Sequence, residues 1–204
     1  MAIKFQYNKT SLQHLNKQLK MRTRALPILK NKESALRAEV KRARDVADQL
    51  DRELESLYEK YYEGVRLWGE FEPGLLTVTA VKTDFRKIAG VKIPEFEDVV
   101  FESRPFLIFN NPKWLSDGIR ILRELTLTSV KRDVFIQKME LLDFARKKTT
   151  QKVNLYEKVQ IPGYEEAIRR IKRFLEDEEN LSKSAQKIVK TRQAAALLEE
   201  EEAA

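Results

Sequence analysis

Leu36-Arg37-Ala38-Glu39-Val40-Lys41-Arg42-Ala43-Arg44-Asp45-Val46-Ala47-Asp48-Gln49-Leu50-Asp51-Arg52-Glu53-Leu54-Glu55-Ser56-Leu57 places an apolar residue at strictly alternating spacings of four and three. That is the seam of a coiled coil, because a 3.5-residue repeat keeps one stripe of a helix facing a partner. Outward from this stretch, Leu12, Leu15, Leu19, Leu26 and Leu29 extend the stripe toward the start of the chain, and Tyr61 and Trp68 extend it forward. The register is broken at Arg22, Glu33 and Gly64. It covers about eight heptads, well beyond the three or four that identify a coiled coil. Asn8-Lys9-Thr10-Ser11 supplies capping side chains at its start. Residues 9–70 are therefore expected as a first long helix of about 90 Å at 1.5 Å per residue. Pro27 lies inside it, lacks a backbone donor and crowds the preceding turn, so a bend is expected near Ala25.

Gly69, Pro73 and Gly74 end this pattern. Leu75-Leu76-Thr77-Val78-Thr79-Ala80-Val81 reads as a strand, with Asp98-Val99-Val100-Phe101 and Phe106-Leu107-Ile108-Phe109 able to pair back onto it. Residues 71–114 are thus expected as a small, partly β insertion with a short hairpin. The insertion holds six of the ten phenylalanines, Phe71, Phe85, Phe96, Phe101, Phe106 and Phe109, which can form either a compact aromatic core or a docking surface. After Asn111-Pro112-Lys113-Trp114, residues 115–201 read as a second helix, about 125 Å if continuous. Its stripe begins at Ile119, Leu122 and Leu125, is interrupted at Arg146–Lys152, and resumes at Tyr164, Ile168, Ile171 and Leu175. Ile161-Pro162-Gly163 is its one strong breaker. The fold class is mainly α: a long antiparallel two-helix coiled coil with a small insertion between the helices. In that pairing position 70 meets 115 and position 10 meets 175, so about the last 25 residues overhang as a tip that the first helix cannot cover.

Composition removes most catalytic readings. The 204 residues include no cysteine and one histidine, so thiol catalysis and the common transition-metal sites have no ligands. His14 flanks the stripe between Leu12 and Leu15, as a solvated residue would. Gly64-Val65-Arg66-Leu67-Trp68-Gly69 has the glycine spacing of a phosphate loop, but Glu70-Phe71 stands where Lys and Ser or Thr belong. The carboxylate runs Glu176-Asp177-Glu178-Glu179 and Glu199-Glu200-Glu201-Glu202 point around the helix axis and read as solvated faces. No catalytic residue, cofactor or metal is expected. No apolar run approaches the ~18 residues of a membrane span, and no signal peptide opens the sequence. The net charge of +7 is unevenly placed. Residues 1–44 carry +10 and residues 45–70 carry −5, while Arg146–Arg173 holds nine basic and three acidic residues. The antiparallel pairing lays the two basic stretches side by side, which steers them toward an acidic surface. They are not interleaved with stacking aromatics in sequence, and no nucleic-acid motif is present.

Three blocks give the chain a family likeness. They are Leu29-Lys30-Asn31-Lys32-Glu33-Ser34-Ala35-Leu36, Ile88-Ala89-Gly90-Val91-Lys92-Ile93-Pro94-Glu95, and Lys152-Val153-Asn154-Leu155-Tyr156-Glu157 followed by Ile161-Pro162. With them in this order, and a helix, insertion, helix layout, the chain resembles the D subunit of the V-type and archaeal-type rotary ATPases and ATP synthases. The resemblance implies a central-stalk rotor shaft that transmits torque between the ATP-hydrolysing or ATP-synthesising ring and an ion-translocating membrane rotor, for H+ or Na+. Its partners would be the catalytic A and non-catalytic B subunits of the ring, the F subunit of the central stalk, and the funnel-shaped C subunit (d in eukaryotic naming) on the membrane rotor ring. The chain would be cytoplasmic and peripheral on the inner face of the membrane, without inserting into it and without nucleic acid. The partner contacts expected on this basis are Arg22, Arg24, Lys30 and Lys32 in the basic stretch, Gly90, Val91, Ile93 and Pro94 in the insertion, and Ile188, Leu197 and Leu198 at the tip. The competing reading is a basic coiled coil that binds nucleic acid or an anionic membrane surface; such a protein has no need of the Gly90-Val91-Lys92-Ile93-Pro94 block.

Overall fold

The computed structural model describes residues 3–62, 64, 68, 69, 71, 72, 74–105 and 112–202, with side chains described as far as residue 195. Helix α1 runs over Lys9–Tyr61, strands β1 and β2 over Leu76–Ile88 and Val91–Ser103, and helix α2 over Leu115–Asn154. A π-helical turn, Leu155–Gln160, joins α2 directly to helix α3, Ile161–Glu202. Asn8 caps α1, its Oδ1 accepting from the Ser11 backbone N–H at 2.6 Å. The helix passes through Pro27 without interruption. It ends at Tyr61, earlier than the stripe suggests. Gly64 occupies a seam position without offering a side chain to bury and weakens the helix by roughly 1 kcal/mol relative to alanine; Tyr62, Gly64, Trp68 and Gly69 lie in tight 3₁₀ turns instead. The Phe106–Phe109 segment, expected as a strand, lies outside the described residues, as does most of the sequence between Gly64 and Gly69.

The chain divides into two compact units, one formed by residues 1–30 with 151–204 and the other by residues 31–150. In the second unit the two helices are antiparallel, and the contacts descend in step. Glu33 accepts from the Thr150 hydroxyl at 2.8 Å, Asp51 pairs with Arg132 at 3.2 Å, and Trp68 meets Trp114 edge-on at 5.7 Å between ring centroids. Leu36 and Leu142 are fully buried, and Ala43, Ala47, Leu50, Leu54 and Leu57 continue the buried stripe of α1. Thr128 and Thr149 are buried on α2, where their hydroxyls donate to the carbonyls of Glu124 and Ala145, so the seam tolerates them.

The hairpin packs on this helix pair. Ile93, 1% exposed, joins Leu36, Val40 and Leu142 in one cluster, flanked by Ile88, Ala89, Val91, Met139 and Ala145. Its core is therefore aliphatic rather than aromatic: Phe85 is exposed, and Phe96 and Phe101 are half-buried. Ile88 pairs with Val91, leaving Ala89-Gly90 as a two-residue turn with φ of 49° and 79°. Positive φ at both positions is the geometry that follows the twist of a hairpin. One extra residue on each strand, Thr79 on β1 and Glu97 on β2, shifts the register and shifts it back.

In the first unit Leu15, Ala167, Ile168 and Ile171 form the core, with Leu12, Leu19, Tyr164 and Leu175 packed against it. The segment before α1 adds a third layer that the heptad pattern does not announce. Ile3 and Phe5 pack on the same cluster, and Tyr7 stacks against Phe174 at 4.9 Å. Gly163 makes room for this segment, because a methyl group there would sit 3.0 Å from Ile3 Cδ1.

The turn and the charge cluster of the second unit can each be tested. A left-handed alanine costs on the order of 1–2 kcal/mol, whereas asparagine suits the first position of this turn; Ala89→Asn is expected to raise stability by about 1 kcal/mol in urea denaturation. Asp143 sits between Lys147 at 2.9 Å and Arg146 at 2.7 Å. Lys147 first, then Arg146, hold its carboxyl below the usual range. Stability from this cluster is present above the unfolded carboxylate's pKa and is lost as pH falls through the lowered folded value. The melting temperatures of the native chain and Asp143→Asn should therefore differ at neutral pH and converge in acid.

Candidate partner-binding site

The four basic residues expected at a partner contact have separate fates. Arg22 stands where the seam calls for an apolar residue, and it is half-buried between the helices of the first unit. Its Nε donates to Gln160 Oε1 at 2.6 Å, its Nη1 donates to Gln18, and its guanidinium carbon lies 4.7 Å from the Tyr164 ring centroid and 5.8 Å from that of Tyr156. A guanidinium is suited to this place because it stacks on aromatic faces while its donors reach sideways. Lys30 is surface-exposed and pairs with Glu157 at 2.7 Å. Arg24 and Lys32 are exposed, and Lys32 Nζ lies beside the hairpin turn, 3.7 Å from where a methyl on Gly90 would stand.

The insertion block turns inward. Gly90 makes the turn, Val91 is half-buried, and Ile93 and Pro94 are buried. Ile93 packs on Leu36, Val40 and Leu142 of its own chain, and Pro94, on the opposite face of β2, lies near Val134 and Phe135 of α2. The sequence block reports how the hairpin docks on its own chain. β1 exposes Val78, Val81 and Phe85, with Lys92 Nζ 4.2 Å from the Phe85 ring centroid.

The tip is exposed throughout. Beyond Leu175, every described side chain of α3 from Glu176 to Ala195 is exposed, including Leu181 at 72%, Ile188 at 54% and Val189 at 53%. Leu181 and Ile188 are one heptad apart and continue the line of Phe174. Glu179 and Lys183 pair at 2.8 Å across one turn, which holds the Glu179 carboxyl below its usual range. The side chains of Leu197 and Leu198 lie outside the described residues.

The aromatic neighbours of the basic stretch were missed in sequence. Exposed Tyr7 and Phe174 share an open groove with Arg169, Arg170 and Arg173, and Glu165, Glu166 and Asp177 line it as well. The signal was present as the alternation Ile3, Phe5, Tyr7, a period of two that marks an extended segment with one buried face. Among the described residues no cluster of acidic or histidine side chains could hold a metal ion. No described helix is long and apolar enough to cross a membrane.

Residues 11–191 match the model of the ATP synthase D-subunit family. The chain belongs to that family. It is 30% identical to the V-type ATP synthase D subunit of Borreliella burgdorferi over 191 residues, covering 92% of this chain and 94% of that one. The corresponding protein of Chlamydia pneumoniae is 26% identical over 87% of each chain. That of Chlamydia trachomatis is 25% identical over 87% of this chain and 90% of its own. The match spans most of α1, the hairpin, α2 and most of α3. A D subunit is one part of a larger ATP synthase.

Arg22 and Arg24 separate structure from surface within this D subunit. Arg22→Ala removes a half-buried guanidinium that fills a seam position and is expected to cost about 1–3 kcal/mol. Arg24→Ala should remain within about 0.5 kcal/mol of the native chain, as surface substitutions do. Thermal unfolding followed by circular dichroism measures both.

Proposed function

We propose that this chain is the central-stalk rotor shaft of a V-type ATP synthase or ATPase. It would transmit torque between a ring of catalytic A and non-catalytic B subunits and the ion-translocating rotor in the membrane. The observation that carries the reading is the contrast along α3: its stripe is buried against α1 as far as Ile171 and Leu175, and every described side chain beyond is exposed. An interlocked seam resists the sliding of one helix past the other, which is what a torsional load requires. An uncovered continuation gives the ring something to grip. In this reading Ile188, with Leu197 and Leu198, enters the ring as an axle tip. The end of the second unit near Trp68 and Trp114 seats on the funnel-shaped C subunit, and the F subunit binds the shaft. The shaft works on the soluble, cytoplasmic side of the membrane and has no catalytic group of its own.

Charge supports rotation rather than fixed binding. Exposed ion pairs are individually worth ~0–1 kcal/mol, so a basic shaft can be attracted by acidic loops and still pass from one to the next. An asymmetric shaft touches three chemically identical sites unequally and so biases each toward a different nucleotide state, a population shift driven by differential contact.

Truncation after Leu175 tests the proposal in the reconstituted complex. Residues 176–204 add no described side chain to the buried cores, so the melting temperature of the truncated chain should stay within a few degrees of the full one. ATP-driven ion transport per ATP hydrolysed should fall at least tenfold. Undiminished coupling, or a full chain that ignores the ring and binds DNA with steep salt dependence, would overturn the rotor reading.

A further inference from the structure

Residues 3–7, ahead of α1, cross the first unit as an extended segment that lays alternate side chains on α3. Ile3 and Phe5 are half-buried on the cluster of Leu15, Ala167, Ile168 and Ile171, and Tyr7 stacks on Phe174. Lys4 and Gln6, between them, are exposed. Ile3 lies beside Gly163 and Tyr7 beside Phe174, so the segment follows α3 toward the tip. The two lengths match: about 16 Å of helix from Gly163 to Phe174, and about 13 Å of extended chain from Ile3 to Tyr7 with side chains reaching the rest.

The face of α3 that receives this segment is separate from its seam. At about 100° per residue, Tyr164, Ile168, Ile171 and Leu175 centre on one line of the helix, and Gly163, Ala167 and Phe174 centre on another about a quarter turn away. The first line packs with Leu12, Leu15 and Leu19 of α1, and the second carries the segment. Gly163 and Ala167 are small, which lets the segment come close: a methyl on Gly163 would stand 3.0 Å from Ile3 Cδ1, and Ala167 is 3% exposed. The segment is in turn fastened to the start of α1. Ser11 Oγ accepts from the Gln6 backbone N–H at 3.3 Å, and Asn8 Oδ1 accepts from the Ser11 backbone N–H at 2.6 Å. Two connected elements therefore hold α3 on two of its faces.

One held face and two held faces resist different motions. Side chains interlocked along a single seam oppose sliding, but a helix can still roll on its partner about that line. A second contact a quarter turn away opposes rolling, because rotation in either direction compresses it or lifts it off. The place is where rolling would begin, since every described side chain of α3 beyond Leu175 is exposed. We infer that residues 3–7 are a positioning strap that keeps α3 from rolling on α1 when a twisting load enters through the exposed tip. The inference rests on the rotor reading and adds to it the segment that passes the load from one helix to the pair.

The test uses the full-length chain in the reconstituted complex, well below its melting temperature, and measures ions moved per ATP against an increasing opposing gradient of the transported H+ or Na+. A segment that only stabilised the fold would give no load-dependent effect. Ile3→Ser combined with Phe5→Ser should leave ions per ATP unchanged without a gradient and lower the steepest gradient sustained at least twofold. Gly163→Leu, which crowds Ile3 and alters no residue of the strap, should do the same, whereas Ile3→Val combined with Phe5→Leu should keep the native gradient. A native gradient in both the serine variant and Gly163→Leu overturns the inference. A loss of equal size with and without load also overturns it, because the segment then serves the fold alone. If the serine variant does not fold, Tyr7→Ala decides, since its ring is half-exposed and outside the buried cluster; a lowered gradient supports the strap and an unchanged one overturns it. If the native complex keeps its gradient after truncation at Leu175, the rotor reading fails and the strap with it.

Discussion

A helix carrying Leu36, Val40, Ala43, Ala47, Leu50, Leu54 and Leu57 on one stripe cannot bury that stripe against itself, and the whole chain is arranged around this constraint. The partner comes from the same polypeptide, so the chain must turn back and the helices must be antiparallel. Leu36 against Leu142 and Leu15 against Ile168 and Ile171 are the outcome in the two units. Each leucine inserted between neighbours on the facing helix excludes water and fixes axial position together. Sliding by one turn would expose several such residues at a cost of roughly 1.5–3 kcal/mol each, which is how a seam of ordinary side chains becomes a mechanical element.

Positions where the stripe carries something other than a leucine are informative in different ways. Thr128 and Thr149 are absorbed because each hydroxyl returns its hydrogen bond to its own helix. Glu33, another departure, accepts from Thr150 across the pair. Arg22 is solved by a cage: two tyrosines and two glutamines receive the guanidinium, and the facing helix widens into a π-turn to bring three of them to it. The departures are thus sites where polar pairing replaces apolar burial, and they fix which residues may face each other more strictly than interchangeable leucines do.

The hairpin shows how a family motif can be structural without being passive. Ala89 and Gly90 make a turn built on positive φ, and this delivers Ile93 to the cluster of Leu36, Val40 and Leu142. Lys92, between half-buried Val91 and buried Ile93, is exposed and lies over Phe85.

The heptad stripe, the capping Asn8, the chain reversal and the bare tip could all be read from the residues, because each depends on local spacing or on elementary topology. Trp68 facing Trp114 and Leu12 lying near Leu175 follow from the same reversal. The family likeness was legible for the same reason, since its blocks fall at the turn of the hairpin and the break in the second helix. Tertiary structure alone decided that Ile93 and Pro94 are buried, that Arg22 is caged while Arg24 is exposed, and that Ile3, Phe5 and Tyr7 add a layer to the first unit. It also decided that Ile161-Pro162-Gly163 widens the helix where the sequence suggested a break. These outcomes depend on which side chain stands opposite, across separations that run from tens of residues to more than a hundred, and a periodic pattern specifies the face of a helix without naming its neighbour.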